Sequence, residues 1–383
     1  MSVTAAQGFR AAGIAAGLKS SGNPDLALVV NDGPVFAAAG VFTSNRIKAA
    51  PVQWSEQVLR GGRVTAVVLN SGGANACTGP EGFQDTHKTA ERAAELLGQS
   101  AAEIAVCSTG LIGVRLPMDT LLAGLEKATG ELDAEGGAAA ATAVMTTDTH
   151  AKTSAVHGTG YVVGGMAKGA GMLAPGLATM LCVITTDAVL DAAALASALR
   201  DATRTTFDRV DSDGCMSTND TVLLLASGAS GAAPDPVEFQ AILTQVCADL
   251  ARQLVGDAEG ATKDIAVEVI RARDEADAVE VARAVARSNL FKCAMFGNDP
   301  NWGRVLSAVG TTKAAFEPEQ LAVAINGVWI CRDGGVGEDR DLVDLTGRDV
   351  RVVIDLASGN ATATVWTTDL TPGYVHENSA YSS

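Results

Sequence analysis

Short apolar runs alternate with amphipathic stretches along the whole chain, and run length and end residues separate strands from helices. Residues 25–31 (DLALVVN), 35–43 (VFAAAGVFT) and 64–70 (VTAVVLN) predict early strands. From Gln84 to Gly98 the apolar positions fall at helical spacing and end on a glycine, which predicts a helix with a left-handed cap. EIAVCSTG, at 103–110, predicts a strand running into a turn, followed by one helix after Pro117 and another over Ala138–Met145. Residues 161–188 predict two buried strands joined by a glycine-rich bend. Beyond them come a helix from Asp191 to Phe207, a strand at 221–227, an exposed loop around 227–236 and a helix from Pro236 to Val255. A strand at 265–273 and a helix over 274–290 lead to a sheet-rich end, with strands at 321–327, 328–332, 349–357 and 361–369 and a polar tail. This mixture of hairpins and helices, with no internal repeat, predicts an α+β layered sandwich of mixed sheets and helices.

Length and charge narrow the class. A chain of 383 residues exceeds one small core, so two or three lobes are expected, and the 47% apolar content excludes a disordered chain. Lys and Arg number 28 against 44 Asp and Glu, a net charge of −16 that argues against a nucleic-acid partner. The N-terminal residues lack the basic and apolar segments of a secretory signal, and no apolar run approaches the roughly 20 residues that cross a bilayer. A cytoplasmic location with no membrane partner is the expectation. The seven cysteines form no CxxC or CxxH pair and predict buried, reduced thiols, neither a zinc site nor a disulfide framework.

The glycine-rich KGAGMLAPGLATM, residues 168–180, is the most informative segment. It is not a phosphate loop, because Lys168 precedes the glycines, and it lacks the GxGxxG of a dinucleotide site. On spacing alone it is a tight turn between core strands, with Thr179 an ordinary strand residue, and CSTGLIG is an ordinary turn. The run DRVDSDGCMSTNDT offers Asp211, Asp213 and Asp220 but lacks the spacing of a calcium loop, so it is taken as a hydrogen-bonded loop close to the site, with no metal expected. His87, His150, His157 and His376 pair with no serine or cysteine motif and are assigned structural or surface places.

Taken together, VFTSNRIKAAPV, LNSGGANACTG, CSTGLIG, MTTDT, the segment 168–188, EGATK, GNDPNWGR and the C-terminal ENSAYSS occur in an order that resembles the self-processing ornithine acetyltransferase (glutamate N-acetyltransferase) family. Gly73 departs from that pattern, where an asparagine is expected. The resemblance implies that the chain cuts itself between Ala178 and Thr179 into an α chain, 1–178, and a β chain, 179–383, forming one interwoven catalytic unit. It implies Thr179 as nucleophile, with its freed α-amine, whose ordinary pKa is about 8, as base. Thr109 and Gly110 are implied to form the oxyanion hole, and GNDPNWGR is a family marker with Trp302 packed rather than catalytic. Substrate contacts are implied for the MTTDT threonine (Thr146 or Thr147), Lys168, Thr179, Glu259, Asn378 and Ser383. Lys168 suits a carboxylate and Glu259 a side-chain ammonium.

The implied reaction moves acetyl from N-acetylornithine to glutamate through acetyl-Thr179, releasing ornithine and N-acetylglutamate in the arginine biosynthesis cycle. No cofactor is implied, while acetyl-CoA as an alternative donor is left open. An α2β2 or higher assembly is also implied. The rival readings are an amidohydrolase or aminopeptidase with water as acceptor, resembling the self-processing β-aminopeptidases, and a non-enzymatic metabolite-binding protein.

Overall fold

The computed structural model describes residues 2–174 and 180–380. The chain opens with strands β1 (Phe9–Ile14), β2 (Leu26–Asn31) and β3 (Ala37–Phe42), helix α1 (Ala50–Leu59), β4 (Ala66–Asn70), α2 (Gly79–Leu97) and β5 (Ile104–Ser108). Helices α3 (Met118–Gly130) and α4 (Gly137–Ala143) follow, then β6 (Lys152–Gly158), β7 (Tyr161–Lys168) and β8 (Leu181–Thr186). Next are α5 (Ala192–Thr205), β9 (Thr221–Ala226), α6 (Pro236–Gly256), β10 (Asp264–Ala272), α7 (Glu275–Ala286), α8 (Asn289–Phe296) and α9 (Trp302–Val309). The last part comprises β11 (Ala322–Ile325), β12 (Val328–Arg332), β13 (Gly335–Val336), β14 (Asp349–Asp355), β15 (Ala361–Thr368) and α10 (Pro372–Ala380).

Among the described residues three sheets result, ordered β1-β2-β4-β5, β3-β9-β8-β7-β6 and β13-β12-β11-β14-β10-β15. Side-chain alternation stacks the first two. In β2, Leu26, Leu28 and Val30 face α2 and α3, while Ala27 and Val29 face the second sheet. In β9, Leu223 and Leu225 meet that same inter-sheet core, while Val222, Leu224 and Ala226 pack under α5 and α6. The layers therefore run helix, sheet, sheet, helix. Both faces of the central strands are buried, which explains why they read in the sequence as continuous apolar runs. The third sheet forms a separate lobe, its core made by Ile265, Val267 and Val269 with Val281 and Val285 of α7 and Phe291 of α8. The α+β sandwich expected from the sequence is the fold observed.

Several local signals act as expected. Gly98 ends α2 in the left-handed region (φ 66°, ψ 34°), and Asp191 caps α5 by accepting the Ala194 N–H at 2.8 Å. The paired ends of β7 and β8, Lys168 opposite Leu181, match the two expected strands, while residues 175–179 of the bend lie outside the described residues. Three expectations need correction. The helix expected over 274–290 breaks at Arg287, because the Ser288 hydroxyl caps a new helix. The polar tail is helical through Ala380. Of the cysteines, Cys77, Cys215 and Cys293 are exposed, and only the other four are buried.

Candidate functional site

The site lies where several segments end on the same side of the stacked sheets. β5 delivers Thr109 and Gly110, β7 ends at Lys168, the loop after α4 carries Thr146 and Thr147, and the turn after α6 carries Glu259. Parallel pairing of β8 with β9, Leu181 beside Thr221, sets Ser217–Asn219 next to them, and α10 reaches over with Asn378. These residues line one cleft of about 300 Å³, a volume suited to a small metabolite.

Gly110 has φ 131°, and a Cβ there would stand 2.9 Å from the backbone of Gly73, so only glycine fits. The contact is with Gly73 main chain, which explains why the departure at position 73 leaves the turn intact. Thr109 is anchored by its own N–H to the Asn70 carbonyl at 3.0 Å. Among the described residues, neither the Thr109 hydroxyl nor the Gly110 N–H is engaged in a hydrogen bond. Two donors are thus available at the cleft wall.

The two walls carry opposite charge. Lys168 is 1% exposed, and its ammonium bonds the Thr146 hydroxyl at 3.1 Å. Burial pushes its pKa down, opposed by Asp148 and Asp220. Glu259 takes the Thr147 hydroxyl at 2.8 Å on one oxygen and the Asn378 amide at 2.9 Å on the other. Its backbone N–H donates to the Ala170 carbonyl at 2.9 Å, and a Cβ on Gly171 would come within 2.5 Å of its carboxylate. A glycine at 171 is what lets the acid lie against that segment.

Asp148 ties the walls together. It accepts the Lys152 ammonium and the Gly169 N–H, both at 2.6 Å, and the Thr146 N–H at 2.9 Å. Burial alone would raise its pKa, but Lys168, Lys152 and the Gly169 N–H overcome that and hold it at about 2. Lys152, itself buried, also pairs with Asp257 at 2.6 Å. Asp220 is different: burial pushes its carboxyl well above the usual range, and the Met180 N–H, the Ser217 hydroxyl and Lys168 pull it only part of the way back.

Of the residues singled out in the sequence, Thr109, Gly110, Thr146, Thr147, Lys168, Glu259 and Asn378 meet in this cleft. Both candidate threonines are there, one on Lys168 and the other on Glu259. Ala178, Thr179 and Ser383 lie outside the described residues. The three aspartates of the acidic run face protein donors: Arg287 and the Gly214 N–H on Asp211, the Met172 and Cys215 N–H groups on Asp213, and the Met180 N–H on Asp220. Trp302 packs on the core of the third lobe and is not part of the cleft wall. Sequence reasoning missed Ser217, Thr218 and Asn219 as wall residues. The available signal was a polar run entering a strand that is apolar after Thr221: Asn219 is buried and bridges the carbonyls of Ala74 (2.7 Å) and Ser108 (2.8 Å).

The fold and cleft define a layered α+β enzyme whose site opens beside the seam of two stacked sheets. The chain belongs to the ArgJ family, whose profile matches residues 10–383. It is 72% identical over 383 residues to the arginine biosynthesis bifunctional protein ArgJ of Streptomyces avermitilis, covering all of both chains. With the protein of the same name from Mycobacterium leprae it shares 57% identity over 390 residues, covering 100% of this chain and 96% of that one. Among solved structures, ornithine acetyltransferase from Mycobacterium tuberculosis complexed with ornithine is 60% identical, covers 47% of this chain and 96% of its own, and has a TM-score of 0.45.

Proposed function

We propose that the chain transfers acetyl from N-acetylornithine to glutamate in arginine biosynthesis, using Thr179 as a self-generated N-terminal nucleophile. The carrying observation is the convergence of seven residues from five segments on one cleft, with an ammonium on one wall, a carboxylate on the other and two available donors between them. An N-acetyl amino acid with a cationic side chain has the matching groups: an α-carboxylate for Lys168, a terminal ammonium for Glu259 and an acetamide oxygen for Thr109 and Gly110. The names of the relatives, which place them in arginine biosynthesis, support the pathway.

In maturation, the Thr179 hydroxyl oxygen attacks the Ala178 carbonyl carbon, the carbon–nitrogen bond breaks, and the hydroxyl proton ends on the departing nitrogen. Water then hydrolyses the ester, leaving the Ala178 carboxylate and a free Thr179 hydroxyl and α-amine. In turnover that amine takes the hydroxyl proton as the oxygen attacks the acetyl carbon, then passes it to the leaving ornithine nitrogen. The glutamate amine attacks the acetyl ester and restores the hydroxyl. Residues 1–178 and 179–383 would stay together, because β3, β6 and β7 interleave with β8 and β9 in one sheet. We assign Ser383 to the substrate side of the site along with Asn378, and an α2β2 or larger assembly to the mature protein. The word bifunctional in the relatives' names supports a second activity, for which acetyl-CoA is the donor we assign.

The test is incubation with N-acetylornithine, with and without glutamate. Formation of N-acetylglutamate only when glutamate is present supports transfer. Steady release of free acetate without N-acetylglutamate overturns it in favour of hydrolysis.

A further inference from the structure

One loop, from Asp211 to Thr221, holds both flanks of the segment that contains the proposed scissile bond. Upstream, Asp213 accepts the Met172 N–H at 2.7 Å, and the Ser212 N–H donates to the Leu173 carbonyl at 2.6 Å. Downstream, Asp220 accepts the Met180 N–H at 3.1 Å, and the Thr221 N–H donates to the Met180 carbonyl at 3.0 Å. The upstream grip fixes an uncommon backbone: Met172 has φ 55°, a conformation non-glycine residues rarely adopt without support.

The loop is itself footed on the third lobe. Arg287 pairs with Asp211 at 2.7 Å, the Asp211 N–H donates to the Trp366 carbonyl at 2.8 Å, and the Lys292 ammonium bonds the Ser212 carbonyl. Tyr374 of α10 adds its hydroxyl to Asp213 at 3.5 Å. Asp220 is fully buried, and its second oxygen, Oδ2, has no hydrogen-bond partner among the described residues.

We infer that this loop is a brace for self-cleavage, with Asp213 and Asp220 as its positioning residues. Attack of a hydroxyl on the carbonyl just before its own residue requires the chain to be held bent, and fixing amides on both sides removes the freedom that would let it relax. The inference rests on the proposed cut between Ala178 and Thr179. That cut also divides the brace. Afterwards Met172 belongs to the other chain, whereas Met180 remains bonded to the nucleophile, so of the two aspartates only Asp220 still acts on the flank of residue 179.

The experiment follows self-cleavage by denaturing mass spectrometry and acetyl transfer by the matured protein. Asp213→Ala is expected to slow cleavage at least about tenfold, yet to change the kcat of material that has matured by less than about threefold. Asp220→Ala is expected to lower both by at least about tenfold. Asp213→Asn and Asp220→Asn keep an oxygen acceptor for the N–H and are expected to cleave within about threefold of the parent, which also guards against loss through misfolding. Cleavage of both alanine variants at the parental rate overturns the brace, as does an asparagine variant as slow as its alanine counterpart or an Asp213→Ala kcat loss equal to its cleavage loss. A parent chain that transfers acetyl while uncut overturns the proposed maturation instead.

Discussion

Thr109 and Gly110 show how much rests on single atoms. In the proposed reaction their donors are useful only if they stay aimed at the developing oxyanion. Thr109→Ala should therefore lower kcat for acetyl transfer by about a hundredfold or more, corresponding to about 3 kcal/mol, as measured by steady-state kinetics. The proposed function gives Glu259 a different task. Glu259→Gln should raise the KM for N-acetylornithine at least about tenfold, with a smaller effect on the KM for glutamate, which has no side-chain ammonium to pair. Asp220 makes a prediction about stability. Its folded pKa is raised, so the folded chain retains a proton that the unfolded chain releases above about pH 3.9. Stability drawn from that proton is complete below that pH and declines as pH rises toward the folded value. Thermal melts should show Asp220→Asn gaining on the parent between pH 4 and pH 7; a constant difference would contradict the raised pKa. The cleft residues within compact motifs were legible in the sequence because each motif carries its own turn. Ser217–Asn219 were not, since their place depends on the pairing of β8 with β9, a register the chain does not spell out locally.

Among the elements, those with strong periodicity and clear ends were readable: α2, α5 and α6 each carry a proline, a capping aspartate or a closing glycine. β1 escaped notice because FRAAGI is built largely of small residues, and β6 because KTSAVHG is mostly polar along an edge. The α10 helix was hidden for a physical reason too. It has no buried residue, and it is held by Tyr374 N–H on the Thr371 hydroxyl (3.0 Å) and by Asn378 on Glu259. An element docked by polar contacts has no apolar stripe to announce it. Deleting residues 378–383 should therefore raise the KM for N-acetylornithine about tenfold while lowering Tm by less than about 2 °C. A large loss of Tm with an unchanged KM would mean that the tail serves the fold and not the site.

At the scale of the molecule, the layered α+β class was legible because hairpin-like strands and amphipathic helices alternate, but sheet order was not. Which strands neighbour which is decided by packing between distant segments, such as β3 beside β9. That order matters to the proposed maturation, since the second sheet joins strands from both sides of residue 178. The same interleaving spans the buried ion cluster, where Asp148 and Lys152 meet Asp257. The Asp148 carboxyl, held at about 2, contributes stability above its unfolded pKa of about 3.9 that is lost as pH falls toward 2.

The most direct measurement is denaturing mass spectrometry of the purified protein, taken alone and during turnover with N-acetylornithine. Two fragments, 1–178 and 179–383, are expected, with a single acetyl group on residue 179 of the second when glutamate is withheld. An intact 383-residue chain that carries out acetyl transfer at full rate would contradict the account.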